Sequence, residues 1–330
     1  MNEIGDKTRN SSLLKYYRED QEDFLNNLKK ICVLYREEQL TNSALAFGTE
    51  IEFLNLDYEK IYGRLPFKLK GWQLQADRSV SSGGELISPI LHDCQNDWEE
   101  LKRACLFIKK KRGKIQDFCG GHIHVGVDFL GNNILAWQNF LNIYMAFEPV
   151  ITRFFYGEFL NGGYRLNQFA EPIGYLLYTK QEKINTMSNL QELKNILLGE
   201  NRYHAINFTG VNINAINMSL YKNTIEFRSS NGSLAPAIWQ NNINLIMNIL
   251  LTARGTGTDP ELLKAYANDL SKNYFEFKNY NTINMEKAAT LADLVFTNNL
   301  DKAYFLRQYL KDGETSYATN GFVKSKKFYK

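Results

Sequence analysis

Three short segments of the sequence place charged or imidazole side chains two positions apart, with bulky apolar residues between them. The segments are residues 50–53 (EIEF), 122–125 (HIHV) and 226–228 (EFR). In a β-strand, residues two apart share one face, and the residues between them point to the other face. Any single pair has a simple explanation, because the solvated side of an antiparallel sheet alternates polar and apolar residues by default.

Taken together, the three pairs favour a site over a solvated face. A solvated face would be rich in Lys, Thr and Gln, whereas these positions hold three glutamates, two histidines and an arginine. Carboxylates are preferred ligands of Mg²⁺ and Mn²⁺, and an imidazole among them favours Mn²⁺. An arginine side chain can bind a phosphate. Because a metal beside a phosphate indicates a nucleotide, we predict a nucleotide site at Glu50, Glu52, His122, His124, Glu226 and Arg228.

A predicted hairpin adds further candidates. Asp77 and Ser79 share a face of its first strand, and Glu85 follows a Gly83-Gly84 turn. Cross-strand pairing would bring these carboxylates into the same cavity. Alternatively, Asp77 and Ser79 only begin the turn through local side-chain hydrogen bonds. Glu85 precedes the apolar Leu86 and Ile87, and these dry surroundings favour a functional role.

Other motifs for catalysis are weak or missing from the sequence. It has no Gly-x-x-x-x-Gly-Lys phosphate loop and no serine nucleophile elbow, and its four cysteines show no Cys-x-x-Cys spacing. The Gly255-Thr256-Gly257 segment is better explained as the end of a helix. His204, in another candidate strand, fits a structural role and a functional one equally well. Phosphate would then be held by metals and cations.

Composition limits the class of protein. Hydrophobic residues make up 44% and charged residues 23% of the 330, which is typical of a folded globular protein. The formal charge of +3 is too small to indicate nucleic-acid binding, and the basic run at residues 109–114 fits the end of a helix. We expect a cytoplasmic protein without a membrane partner, because no apolar run has the length of a membrane span.

The order of predicted elements indicates an α+β fold. Strands and helices do not alternate as βαβ units, so we expect a mainly antiparallel sheet flanked by helices. We expect an N-terminal helical extension at 1–43, a catalytic domain at 44–255, and a C-terminal helical part with a basic tail at 256–330. Strands are predicted at 44–54, 72–81, 85–87, 116–129, 203–214 and 218–229, and helices at 13–40, 95–111, 133–155, 191–198 and from 234 to about 311, with 324–330 as a loose tail.

Six motifs in this order resemble the amidoligase family, a branch of the carboxylate–amine ligases that share the glutamine synthetase and glutamate–cysteine ligase fold. They are residues 47–53 (FGTEIEF), 77–80 (DRSV), 84–91 (GELISPIL), 119–126 (CGGHIHVG), 202–207 (RYHAIN) and 224–228 (TIEFR). The resemblance implies a curved antiparallel sheet whose concave face holds divalent metals, ATP and a substrate carboxylate. It implies metal ligation by Glu50, Glu52, Glu85, His122 and Glu226, and ATP contacts from Ser79, Arg202 and Arg228.

The expected activity is ATP-dependent amide-bond formation through an acyl phosphate, on a small-molecule or peptide carboxylate and an amine. Arg228 would neutralise charge on the transferred phosphoryl group, and Asp77 would orient or deprotonate the amine. Three alternatives stay open: a metal-dependent hydrolase that uses His122 and His124 with the glutamates to activate water, a kinase on the same fold, and a non-catalytic nucleotide-binding module. The sequence departs from the family at Arg78, where glycine is common, and His124 is a less secure member of the site.

Overall fold

An antiparallel sheet of seven strands is the centre of the computed structural model. The structure describes residues 3–41, 44–56, 69, 71–77, 80, 83–116, 118–156, 164–197, 201–212, 214, 223–255, 258–273, 283–311 and 328–330. In these residues the strands are β1 Ala46–Leu54, β2 Gln73–Gln75, β3 Gly83–Ile87, β4 Leu91–His92, β5 Gly121–Gly126, β6 Ile206–Asn207 and β7 Thr224–Phe227. Their order across the sheet is β2-β3-β1-β5-β7-β6, and β4 pairs with the start of β1. The expected antiparallel sheet with flanking helices is confirmed.

The described residues also form twelve α-helices. They are α1 Leu13–Glu19, α2 Gln21–Lys29, α3 Gln95–Lys110, α4 Ile134–Tyr156, α5 Tyr164–Phe169, α6 Gly174–Thr179, α7 Gln181–Thr186, α8 Leu190–Leu197, α9 Pro236–Arg254, α10 Pro260–Asn273, α11 Met285–Val295 and α12 Asn299–Tyr309. Several begin where a short polar side chain accepts a backbone N–H of the first turn, as Ser12 does for α1 and Asn284 for α11. None of the described helices has the length and apolar character of a membrane span.

Strand alternation divides the sheet into an apolar face and a polar face. On β1, Phe47, Ile51 and Phe53 are buried in the main hydrophobic core. Phe47 stacks on Trp98 of α3, and Phe227 of β7 meets Phe140 of α4 edge to face. Because the helices cover this face, the even-numbered residues of β1 must point to the opposite one.

Several predicted strands are shorter than expected, because local turns end them. Among the described residues of the 116–129 segment, the strand covers Gly121–Gly126 and is followed by a 3-10 helix, Val127–Phe129. The described residues of the 203–214 segment include the two-residue strand Ile206–Asn207, which ends where Asn207 accepts hydrogen bonds from Thr209 and turns the chain. The 218–229 segment is a strand only over Thr224–Phe227 among its described residues.

The N-terminal segment packs against the C-terminal helices. Asp293 of α11 accepts hydrogen bonds from the hydroxyl of Ser12 and the backbone N–H groups of Leu13 and Leu14. The helix or helix pair expected from Leu13 to about Leu40 is a pair, α1 and α2, and the expectation is wrong beyond Lys29, where α2 ends. The prediction of a loose tail at 324–330 is wrong for residues 328–330, because Phe328 is buried and Tyr329 pairs with Val33. Residues 324–327 lie outside the described part.

Candidate active site

The register of the sheet places the predicted polar residues in one row across its polar face. Glu52 lies opposite Glu85 of β3, and Glu50 lies opposite His122 of β5. Glu226 of β7 lies opposite His124 of β5. Residues directly opposite in an antiparallel ladder share a face, so side chains from separate stretches of the chain meet in one row.

His122 lies at the centre of this row. Its Nδ1 is 2.9 Å from Oε2 of Glu50 and 3.4 Å from Oε1 of Glu226. Its Nε2 is 3.3 Å from Oε1 of Glu52 on the other side of the ring. The imidazole is 4% exposed, so three carboxylates surround a ring that water barely reaches.

His124 belongs to the same cluster. Its Nε2 lies 3.0 Å from Oε1 of Glu50, and its Nδ1 lies 3.3 Å from the hydroxyl of Thr224. The side chain is 25% exposed, so it lies at the more solvent-exposed end of the row. Glu50 is therefore shared by both histidines, one at each carboxylate oxygen.

Arg228 extends the row with a fixed positive charge. Its Nη1 donates to Glu226, and its Nε donates to the backbone carbonyl of Phe169 at 3.0 Å. The guanidinium carbon lies 6.0 Å from the centre of the Tyr203 ring. Because Arg228 is 8% exposed, these contacts hold its charge at the edge of the cluster in a fixed orientation.

The acidic residues differ in their readiness to ionise. Burial of Glu50 opposes ionisation, but hydrogen bonds from His122 and His124 outweigh it and lower the Glu50 pKa. The Glu226 pKa is also lowered, since the charges of His122 and Arg228 outweigh its burial. Burial and the nearby charge of Glu50 instead raise the pKa of Glu85 to about 7. One carboxyl of the row thus titrates near neutrality, whereas Glu50 and Glu226 stay ionised.

A metal ion fits this donor set. One ligand atom from each of Glu50, His122 and Glu226 lies within 4.8 Å of the others. Glu52 approaches His122 from the opposite side and also faces the row. Two carboxylates and an imidazole suit Mn²⁺ or Mg²⁺, and the lowered pKa values keep both carboxylates in the form that binds metal.

The other predicted residues lie at the margin of the row or outside the described part. Glu85 accepts a 2.6 Å hydrogen bond from Gln75, and the charge of Asp77, half-buried at the end of the hairpin, helps to raise its pKa. Ser79 and Arg78 lie outside the described residues. Arg202 is exposed, with its guanidinium 5.2 Å from the Tyr203 ring. His204 lies 3.9 Å from Glu171, which is not part of the row.

Sequence reasoning missed the neutral groups that bind the carboxylates. Asn207 of β6 donates to Glu226 at 2.6 Å, and the backbone N–H of Gly120 donates to Glu52. The hydroxyl of Thr224 lies in hydrogen-bond contact with His124, and the amide of Gln75 donates to Glu85. In the predicted strand 72–81, Gln75 shares a face with Asp77, so the period-two rule could have found it. The donor to Glu52 is the backbone N–H of Gly120, so no side chain in the sequence could have indicated it.

Comparison with known proteins identifies the class of enzyme. The chain belongs to the family described as "Putative amidoligase enzyme", whose profile matches residues 67–250, more than half of its length. The resemblance noted in the sequence is thus confirmed, and the family places the protein among ligase-type enzymes. The matched residues include Glu85, His122, Glu226 and Arg228 but not β1. β1 pairs with β3 and β5, which both lie within the matched range. This pairing places Glu52 opposite Glu85 and Glu50 opposite His122.

A distant likeness in fold is found among solved structures. The likeness is to a bifunctional glutathione synthetase from Pasteurella multocida, with a TM-score of 0.45 and 12% sequence identity over 82% of this chain and 48% of that one. The chain thus spans about half the length of that enzyme. A search of curated proteins found no match.

Proposed function

We propose that the protein is an ATP-dependent carboxylate–amine ligase that activates its carboxylate substrate as an acyl phosphate. The observation that carries this proposal is the row itself, in which Glu50, His122 and Glu226 converge beside the guanidinium of Arg228. Metal ligands next to a fixed cation are the parts that phosphoryl transfer requires. Membership of the amidoligase family supports amide formation as the outcome.

Glu50, His122 and Glu226 would hold a divalent ion, with Glu52 and Glu85 as further ligands from the β1–β3 side of the row. The ion, Mg²⁺ or Mn²⁺, would neutralise charge on the phosphates of ATP. Glu50 is held between His122 and His124, which fixes both of its oxygens. The side chains are therefore oriented before a ligand arrives, which reduces the reorganisation needed on binding.

Arg228 would stabilise charge on the phosphoryl group in transit. A guanidinium stays ionised at all relevant pH values and forks toward phosphate oxygens. Its Nε is engaged by the carbonyl of Phe169, and its Nη1 by Glu226, so it enters the reaction already oriented. Arg202 and Ser79 are proposed to contact the nucleotide as well.

The proposed reaction has two steps. An oxygen of the substrate carboxylate attacks the γ-phosphorus of ATP, the bond to the β-phosphate oxygen breaks, and ADP leaves. The amine nitrogen then attacks the acyl carbon, phosphate leaves, and the amine loses a proton. Asp77 is proposed to orient or deprotonate the amine.

The wider organisation is proposed on the same grounds. Residues 44–255 would form a glutamine synthetase-like catalytic domain with a curved sheet, flanked by the helical parts at 1–43 and 256–330. The substrates would be small molecules or peptides, such as amino acids, in the cytoplasm. Nucleic acid and membrane are not expected as partners.

The decisive assay measures ADP release with Mg²⁺ and paired panels of carboxylates and amines. We expect sustained ADP release only when both substrates are present, and hydroxylamine in place of the amine should trap a hydroxamate. Glu226→Gln should abolish turnover, whereas Glu182→Gln, an exposed glutamate on α7, should not change it. ATP-independent amide cleavage would indicate a hydrolase, a stable phosphorylated product would indicate a kinase, and either result would contradict the proposal.

A further inference from the structure

Three carboxylates of the row share one feature. In each, one oxygen accepts a hydrogen bond from a neutral N–H group. Glu52 receives the backbone N–H of Gly120 at Oε2, and Glu85 receives the amide of Gln75 at Oε1. Glu226 receives the amide of Asn207 at Oε2. In Glu52 and Glu226 the other oxygen, Oε1, is the one that faces His122. The donors therefore select which oxygen points to the centre.

Asn207 shows this arrangement most completely. It lies on β6 directly opposite Glu226, and only 8% of it is exposed. Its Nδ2 is 2.6 Å from Oε2 of Glu226, while Arg228 donates to Oε1. Both oxygens of one buried carboxylate are thus held by separate donors, which fixes the plane of the carboxylate as well as its position.

The orientation of the Asn207 amide is itself set by its surroundings. Its Oδ1 accepts the backbone N–H of Thr209 at 2.9 Å and the hydroxyl of Thr209 at 2.7 Å. A flipped amide would turn its NH₂ group toward the N–H of Thr209 and its oxygen toward Glu226, losing at least two hydrogen bonds and opposing two acceptors. The turn that ends β6 therefore also points a donor at Glu226.

We propose that Asn207 is a positioning residue of the metal site, which holds Oε2 of Glu226 so that Oε1 is presented toward His122 and the bound ion. The inference rests on the proposed metal-dependent function but concerns a residue that would not touch the ion. Partners of this kind orient ligating side chains, and their loss typically weakens metal binding about 10- to 100-fold. Thr209 contributes indirectly, by fixing the amide.

The test is the affinity of the full chain for Mn²⁺ without nucleotide, measured by calorimetry, together with the EPR spectrum of the bound ion. Asn207→Leu keeps the volume and removes the donor, and we expect its Kd to rise about 10- to 100-fold with an altered spectrum. Thr209→Val removes one of the two contacts that orient the amide, and a smaller rise of several-fold is expected.

Asn223→Leu is the matched control. Asn223 is 8% exposed like Asn207 and exchanges hydrogen bonds with Asn212, away from Glu226. Its variant should keep the wild-type Kd and spectrum even if its melting temperature falls. If Asn207→Leu binds Mn²⁺ as the wild type does, the positioning role is refuted and the ligase proposal stands. If the wild type itself binds no Mn²⁺, both fail. If Asn207→Leu does not fold, an unchanged Kd and spectrum in Thr209→Val refute the role.

Discussion

Glu85→Gln should change how the stability of the metal-free protein depends on pH. The folded environment raises the pKa of Glu85 from 4.5 to about 7, because the side chain is buried and faces the charge of Glu50. The folded protein therefore holds a proton that the unfolded chain releases between these pH values. The contribution of this group to stability is complete below pH 4.5 and is lost as pH rises through about 7. At about 1.4 kcal/mol per unit of pKa, the loss is roughly 3 kcal/mol.

The measurement is the free energy of unfolding in urea at pH 4.5, 6 and 8, with chelator present, for the wild type and Glu85→Gln. Glutamine keeps the hydrogen-bonding shape of the protonated acid without titrating, so the variant should gain stability relative to the wild type by roughly 3 kcal/mol across this range. Glu182→Gln, an exposed glutamate, should follow the wild type at every pH. A difference between Glu85→Gln and wild type that stays constant with pH would refute the electrostatic description of the row.

Three further substitutions test other parts of the structure. Glu148 is fully buried and accepts the backbone N–H groups of Ile173 and Gly174, so Glu148→Ala should lower the free energy of unfolding by about 3 kcal/mol in urea titrations; a loss below about 1 kcal/mol would contradict its capping role. Phe328→Ala should cost about 3 kcal/mol by the same measurement, because its ring is buried, and an unchanged stability would show that the C-terminal residues are loose after all. Arg228→Lys should lower kcat for ADP formation about 100-fold, since an ammonium cannot replace the oriented fork, and wild-type kcat would remove Arg228 from the reaction.

The polar row could be predicted from the sequence because strand alternation is a local property. Glu50 and Glu52, or His122 and His124, must share a face wherever the chain is extended, whatever the strand pairs with. A run of ligand-type residues on three such segments was enough to predict a common site. The register that brings Glu52 opposite Glu85 was not predictable, because it depends on which strands become neighbours.

The remaining parts of the site depend on contacts between distant residues. Asn207 follows an apolar residue in a segment that looked like a long strand, and only the turn at Thr209 shows why its amide points at Glu226. The pKa of Glu85 is set by burial and by Glu50, which comes from another strand. The packing of Phe328 could not be seen in a basic terminal segment, because it requires Val33 and its neighbours to be in place.

The central claim is that a carboxylate is activated by phosphorylation before an amine displaces the phosphate. Once the ADP assay has identified a substrate pair, the carboxylate is supplied with ¹⁸O in both oxygens, and the released phosphate is analysed by mass spectrometry. We predict one ¹⁸O atom in each phosphate, because the oxygen that attacks the γ-phosphorus leaves with it. Phosphate without ¹⁸O, formed together with the amide, would contradict the acyl-phosphate mechanism.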